Sequence, residues 1–316
     1  MASCALAAMP AFADWPERPI RIVVPYPPGG LTDNAARTLS AELAQQLGQP
    51  VIVENRAGAG GKIGFDFVRR APKDGYTIAL VVPALMVLLP LTSKDFGIEP
   101  LKEFEPLSNG VDNYNMLVVH KSFGAKTLPE FVARVKEKQG RANFGNSGGP
   151  GTTFHFNAIR MLTLLGLTAD DAAAIAYKGE IEAVNALMAG DIDFAITTDT
   201  GRKVIDAGQG IPIAVATAER VSVLPNLPTF RELGVDWVAD GWVGFVAPAG
   251  VPTAVLDKLN TAFNRALDHP EVKQSLRRTG YIPVPGSREA FRARIEANRK
   301  TYSGMLESGA IKLDMR

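Results

Sequence analysis

Three turns of this sequence place glycine beside polar residues directly before a predicted helix. They lie at residues 26–33, 147–153 and 177–179. Glycine leaves backbone N–H groups unobstructed, and the first turn of a helix carries partial positive charge, so an anion can bind there. These turns therefore predict capture of a negatively charged group by backbone amides.

The second turn offers the most donors. Its hydroxyl and glycine residues are Ser147, Gly148, Gly149, Gly151, Thr152 and Thr153. His155 falls in the first turn of the helix that follows, where we expect it to pack behind the site, with direct ligand contact as the alternative. Lys178, in the third turn, either adds positive charge to an anion site or is a solvated loop lysine.

A polar cluster follows another predicted strand, at residues 192–196. It includes Thr198 and Asp199. The carboxyl ends of strands are where α/β folds usually bind ligands, so both residues are candidates.

A catalytic alternative rests on the G-x-S-x-G pattern at residues 145–149, which resembles the nucleophile elbow of serine hydrolases with Ser147 as the nucleophile. An elbow needs a strong preceding strand, and residues 141–144 are short and polar. It also needs an acid and then a histidine later in the chain. Only His269 satisfies that order, and it lies between two predicted helices, so a non-catalytic protein is favoured.

Nucleotide and metal sites are poorly supported. The glycine-rich segment at residues 58–63 has Arg56 where a phosphate-binding loop needs its first glycine, and Ile63 where it needs Ser or Thr. The 3 histidines are scattered, and no Asp-rich loop suggests a metal. We expect no cofactor.

Strand and helix patterns alternate along the chain, which predicts an α/β fold with largely parallel sheets. Strands are predicted at residues 21–24, 51–53, 76–82, 116–119, 173–176, 192–196, 211–216 and 242–247. Helices are predicted at residues 32–47, 62–70, 127–138, 152–165, 180–188, 253–267, 270–279 and 288–307.

Length and charge limit the class of protein. A chain of 316 residues suggests two domains. Its 34 Lys and Arg nearly balance 33 Asp and Glu, so no basic surplus points to nucleic acid or an anionic membrane surface. No run approaches the roughly 18 apolar residues that would suggest a bilayer span.

Residues 1–13 predict the remnant of an export signal. The segment is apolar, rich in small residues and ends in an A-x-A pattern at Ala11 and Ala13. Cys4, the only cysteine, lies inside it. A chain processed before Asp14 would contain no disulfide.

Two segments are predicted to connect two lobes, at residues 107–116 and 235–243. One lobe would then comprise residues 14–115 plus 237–316, and the other residues 116–236. A double connection of this kind permits hinge closure over a ligand.

The ordered set of motifs resembles the Bug/TctC family, the periplasmic solute-binding proteins of tripartite tricarboxylate transporters. The motifs are PYPPGG at residues 25–30 with Asp33, VENRAGAGG at 53–61, PKDGYT at 72–77, FGNSG at 144–148, GTTFH at 151–155, YKG at 177–179 and PAGVP at 248–252. The resemblance extends from Trp15 to the C-terminal helices.

This resemblance implies a type II periplasmic-binding-protein fold, with a carboxylate bound in a cleft between two α/β lobes. It also implies membrane permease subunits as partners, a periplasmic location and a monomeric, non-catalytic protein. Residues 26–33 and 147–153 correspond to the ligand loops. Asp33 is expected to cap its helix, because its charge would repel an anion. The first-loop residues implied to bind ligand are Tyr26, Pro28, Gly29, Gly30, Leu31 and Thr32.

The sequence departs from the family after residues 76–82, where relatives commonly carry small polar residues. Residues 83–90 read PALMVLLP here. If this segment, beginning at Ala84, lines the cleft, the ligand is a carboxylate with a hydrophobic body, such as an aromatic or medium-chain dicarboxylate. The alternative is that residues 85–89 pack into the core.

Overall fold

The computed structural model describes residues 15–147, 152–221, 223–239 and 241–307. The predicted export segment and Gly148, Gly149 and Gly151 lie outside these residues. The elements of the first half are β1 (Ile20–Val24), α1 (Leu31–Leu47), β2 (Val51–Asn55), α2 (Lys62–Arg69), β3 (Thr77–Val81), α3 (Leu89–Thr92), α4 (Pro100–Glu103), β4 (Phe104–Asn113), β5 (Met116–His120), α5 (Leu128–Glu137), β6 (Ala142–Ser147) and α6 (Thr153–Leu164).

The second half continues the alternation of strands and helices. Its elements are β7 (Ala172–Tyr177), α7 (Glu180–Ala189), β8 (Phe194–Thr197), α8 (Arg202–Asp206), β9 (Gly210–Val215), β10 (Trp242–Pro248), α9 (Thr253–Asp268), α10 (Pro270–Arg278), β11 (Tyr281–Pro283) and α11 (Arg288–Glu307). A π-helical turn, Ala84–Leu88, follows β3.

The strands form two mixed sheets. The first has the order β11-β4-β10-β3-β1-β2 and the second the order β7-β6-β8-β5-β9. Pairing is parallel at β1–β2, β1–β3, β6–β7 and β6–β8 but antiparallel at every pairing of β4, β5 and β10. The prediction of largely parallel sheets was therefore wrong. The chain leaves the first sheet along β4 and returns along β10, so these neighbours run in opposite directions.

The two connections between the sheets lie side by side. Tyr114 and Asn115 alone separate β4 from β5. The N–H of Asn113 donates to Gly241 O (2.9 Å), and the N–H of Ala216 donates to Asn115 O (2.8 Å). The chain passes from one sheet to the other at these points. The predicted division into two lobes, with boundaries at residues 115 and 237, stays a prediction.

Helices cover both sheets, and the buried cores are continuous between them. Helices α1 and α9 pack on the first sheet, where Leu39 and Phe263 are fully buried. Phe156 of α6 contacts Tyr302 of α11 with ring centroids 4.5 Å apart. This contact joins a helix beside the second sheet to the C-terminal helix beside the first.

Candidate functional site

A cavity lies where the two sheets meet. It is partly open to solvent and has a volume of about 180 Å³, less than the roughly 300–1,000 Å³ typical of drug-sized sites, so it suits a small solute. The residues that line it are Tyr26, Pro27, Pro28, Gly30, Leu31, Thr32, Val82, Pro83, Ala84, Asn113, Asn115, Ser147, Thr152, Thr153, Phe154, Lys178, Gly179, Glu180, Ile181, Glu182, Gly241, Trp242 and Val243.

The first loop brings the start of α1 to the cavity. Gly30 is its N-cap residue, and no side chain caps the helix. The first backbone bond comes from the N–H of Asn34 to Gly30 O (3.0 Å). The N–H groups of Gly30, Leu31 and Thr32 precede that bond, so they have no partner from the regular helix pattern and can serve a ligand.

Gly29 does not line the cavity, contrary to its place in the predicted site. Its φ of +81° suits glycine, and its N–H donates to the Asp33 carboxylate (2.8 Å). That amide is therefore committed to the loop. Asp33 does not touch the cavity and does not occupy the N-cap position either.

Asp33 instead holds the loop in shape. Its carboxylate also accepts hydrogen bonds from Arg37 (2.9 Å) and from Asn55 (2.9 Å). Burial raises the pKa of the Asp33 carboxyl, but the hydrogen bonds from Arg37, the Gly29 N–H and Asn55 outweigh it, so the pKa lies below its ordinary value. The Asp33 side chain is thus an ionised anchor behind the binding loop.

The second loop brings the start of α6 to the opposite wall. Thr152 is the N-cap residue and accepts the N–H of His155 (3.5 Å). The Thr152 hydroxyl is within hydrogen-bond distance of Ser147 O (2.9 Å), so it links the end of β6 to the start of α6. His155 is buried and absent from the cavity lining.

Thr153 carries the clearest signal for a ligand. Its hydroxyl oxygen is buried and has no hydrogen-bond partner among the residues that the structure describes, although the residue lines the cavity. A buried hydroxyl without a partner is unfavourable, so such groups usually have a reason. A bound solute would supply the missing acceptor.

The third loop adds the start of α7. Gly179 is its N-cap residue, again with no side-chain cap, and residues 178–182 line the cavity. Lys178 is exposed at the rim. The N-terminal ends of α1, α6 and α7 therefore converge on one cavity, which concentrates the positive ends of three helix dipoles.

Thr198 and Asp199 do not line the cavity, so the structure does not bring them to the predicted site. Thr198 donates both its N–H (2.6 Å) and its hydroxyl (2.8 Å) to Glu180. Asp199 accepts the hydroxyl of Tyr114 (2.6 Å). Both residues support the wall from behind.

The apolar wall comes from residues 82–84 together with Tyr26 and Trp242. Ala84 lines the cavity, and its contact with a ligand stays a prediction, whereas residues 85–88 are fully buried in the core. Residues 85–88 therefore follow the alternative in which this apolar segment packs into the core. Burial raises the pKa of Tyr26, which keeps its phenol neutral beside the cavity.

Several lining residues were missed by the sequence analysis, above all Asn113, Asn115, Glu180 and Trp242. Asn113 and Asn115 lie in the predicted connection, and the buried Oδ1 of Asn113 has no hydrogen-bond partner in the described part of the chain. The indole N–H of Trp242 donates to Asn298 (2.9 Å), which fixes the ring. The two asparagines inside a predicted connection were the one feature of the sequence that could have indicated these lining residues.

The structure meets one requirement of the hydrolase alternative and fails another. Strand β6 leads up to Ser147, which is its last residue, so the objection that the residues before the serine form no strong strand was wrong. No histidine, however, is among the described residues that line the cavity. His120 contacts Ser122 (2.7 Å), and His269 lies 4.0 Å from Glu42.

Within the described ranges of the chain, no group of three or more His, Cys, Asp and Glu side chains is arranged to hold a metal ion. None of the described helices has the length and apolar character needed to cross a bilayer.

The fold and cavity define a two-lobed α/β solute-binding protein, and comparison with known proteins gives its family. Residues 35–307 match the Tripartite tricarboxylate transporter family receptor, TctC. The chain is 34% identical over 278 residues to the "UPF0065 protein in gbd 5'region" of Cupriavidus necator, covering 87% of this chain and 83% of that one. The chain therefore belongs to the Bug/TctC family of periplasmic solute-binding proteins.

Solved structures agree with this assignment. The R. palustris protein Rpa4515 with adipate superposes with a TM-score of 0.88, at 29% identity, covering 94% of this chain and 99% of that one. MatC from Rhodopseudomonas palustris with bound malate gives a TM-score of 0.84, at 27% identity, covering 92% and 99%. The predicted fold class is confirmed, and the family consists of binding proteins rather than enzymes.

Proposed function

We propose that this chain is exported to the periplasm, where it captures a small carboxylate with an apolar body for a tripartite tricarboxylate-type transporter. The observation that carries the proposal is the convergence of the N-termini of α1 and α6 on one cavity that also has an apolar wall at residues 82–84 and Trp242. The adipate and malate bound to similar proteins support a carboxylate as the ligand. Membrane permease subunits would receive it, and the protein would act as a monomer.

The proposed binding mode follows from the available donors. A carboxylate would accept the N–H groups of Gly30, Leu31 and Thr32 from one side and the Thr153 hydroxyl from the other. Hydrogen bonds to a charged group contribute roughly 1.5–3 kcal/mol each, so three or four support micromolar binding after the cost of association. The apolar body would lie against Ala84 and Trp242.

A panel of acids tests the proposal. Mono-, di- and tricarboxylates, both aliphatic and aromatic, would be titrated into purified protein and followed by tryptophan fluorescence and calorimetry. The predicted dicarboxylate is one class in this panel. We expect the signal to come from Trp242, which lines the cavity, whereas Trp237 is buried outside its lining.

The control is a Trp242→Phe variant, which should still bind by calorimetry but lose most of the fluorescence change. A flat response to every acid by both methods would refute the proposed function. Binding of sugars or neutral solutes with no acid among the ligands would refute it equally.

A further inference from the structure

One acidic side chain is built into the cavity wall. Glu180, the first residue of α7, is 9% exposed and lines the cavity. Its carboxylate accepts the N–H of Thr198 (2.6 Å) and the hydroxyl of Thr197 (2.7 Å). The hydroxyl of Thr200 lies 3.3 Å from its second oxygen. These donors all come from β8 and the turn after it, so the carboxylate is held in one position.

This carboxylate has neutral partners only. None of the ion pairs in the described part of the chain includes Glu180. The other charged lining residues, Lys178 and Glu182, are exposed, so solvent screens their charges. Glu180 is therefore the one buried acidic side chain among the described residues of the wall. Burial raises the pKa of its carboxyl, and the hydrogen bonds from Thr197, Thr198 and Thr200 act against that rise. A measurement at pH 8 favours its ionised form.

The three helix N-termini differ in their acidic residues. The first turn of α7 contains both Glu180 and Glu182, which offset the positive end of that helix. The first turn of α6 contains no acidic residue. In α1, Asp33 pairs with Arg37 at 2.9 Å and does not line the cavity. The cavity thus favours an anion beside α1 and α6 and opposes one beside α7.

We propose that Glu180 makes the site select carboxylates that carry no second negative charge at the end facing α7. This inference rests on the proposed function, since it assumes that one carboxylate binds beside α1 and α6. A second carboxylate in so small a cavity would approach a buried charge, and like charges repel strongly where water is excluded. The far end of the ligand is therefore neutral or cationic, as in a monocarboxylate or an amino acid with a terminal amine.

Three six-carbon acids test this selection because they differ only at the far end. Hexanoate ends in a methyl group, 6-aminohexanoate in an ammonium and adipate in a second carboxylate. Calorimetry at pH 8 should show that hexanoate and 6-aminohexanoate each bind at least about tenfold more tightly than adipate, a difference of about 1.4 kcal/mol.

A Glu180→Gln variant removes the charge and keeps an oxygen that can accept the N–H of Thr198. We expect it to bring adipate to within about threefold of hexanoate, a difference well under the 1.4 kcal/mol of a tenfold change. Glu271→Gln is the matched control, because it removes an exposed charge from the first turn of α10, a helix that does not line the cavity. That variant should leave the ratio as it is in the unaltered protein.

Adipate binding as tightly as hexanoate to the unaltered protein would overturn the inference, and so would an unchanged ratio in Glu180→Gln. If that variant fails to fold, the ratio in the unaltered protein decides alone. Failure of every acid in the wider panel would refute the proposed function, whereas binding without selection against adipate would refute only the role of Glu180.

Discussion

The unpartnered hydroxyl of Thr153 allows ligand binding and folding to be separated. In a Thr153→Val variant, a methyl group replaces the hydroxyl and the shape of the side chain is kept. The buried oxygen has no hydrogen-bond partner among the described residues, so its removal breaks no hydrogen bond that the structure describes. We therefore expect the free energy of unfolding without ligand to be unchanged or slightly higher.

The effect on binding should be large by comparison. If the hydroxyl donates to a carboxylate, the lost bond is worth roughly 1.5–3 kcal/mol, which corresponds to about a 10- to 150-fold weaker Kd. Calorimetry with the best-bound acid of the panel measures this loss, and thermal unfolding without ligand measures stability.

Thr163→Val provides the control. Thr163 lies on the same helix, is exposed, and donates its hydroxyl to Ile159 O (3.0 Å). The same substitution there should leave the Kd unchanged. An unaltered Kd in Thr153→Val would refute the assignment of this hydroxyl to the ligand, and a large loss of ligand-free stability would show that it serves the fold instead.

Three further predictions concern stability. Asp33→Asn should lower the free energy of unfolding by about 1–3 kcal/mol at pH 7. Because the pKa of Asp33 is lowered on folding, urea titrations should show this difference in free energy shrinking as the pH falls below 3.8. A difference that stays constant with pH would contradict the account. Burial raises the pKa of the Glu180 carboxyl above its ordinary value of 4.5. The unaltered protein should therefore lose stability relative to Glu180→Gln as the pH rises above 4.5, and an opposite trend in urea unfolding would exclude this. Gly241→Ala would place its Cβ 2.0 Å from the Oδ1 of Asn113, so we expect the free energy of unfolding to fall by about 1–3 kcal/mol. Gly286→Ala is the control, because Gly286 has open space around it, and this variant should unfold at nearly the original temperature.

The regular helices were the easiest part of the fold to predict. In α1, buried residues such as Leu39 and Leu43 recur at helical spacing, and Gly48 ends the helix at φ +69°. Strand β4 was missed, because its sequence FEPLSNGVDN combines proline, glycine and asparagine. Its Gly110 has φ +68° and lies so close to Val243 O that an added Cβ would be 2.6 Å away, which marks a local irregularity where β4 meets β10.

The candidate site was predictable where a loop and a helix start adjoin in sequence. Gly30, Thr32, Ser147 and Thr153 were named from such local patterns, and the structure places all of them in one cavity. Residues that reach the cavity through tertiary packing, such as Trp242, carry no local signal.

Residues that support the cavity wall without lining it could not be told apart in the sequence from residues that line it. Thr198 follows a strand, as ligand-binding residues often do, but both of its donors are taken by Glu180. Gly29 likewise has the right type for an anion loop, yet Asp33 takes its N–H. Which partner a polar group finds depends on side chains brought in from elsewhere in the chain.

A crystal structure of the protein with its best-bound acid tests the central claim most directly. The account predicts carboxylate oxygens within about 3 Å of the N–H groups at Gly30–Thr32 and of the Thr153 hydroxyl. An acid bound outside the cavity, or bound inside it with its carboxylate touching neither the start of α1 nor that of α6, would contradict the account.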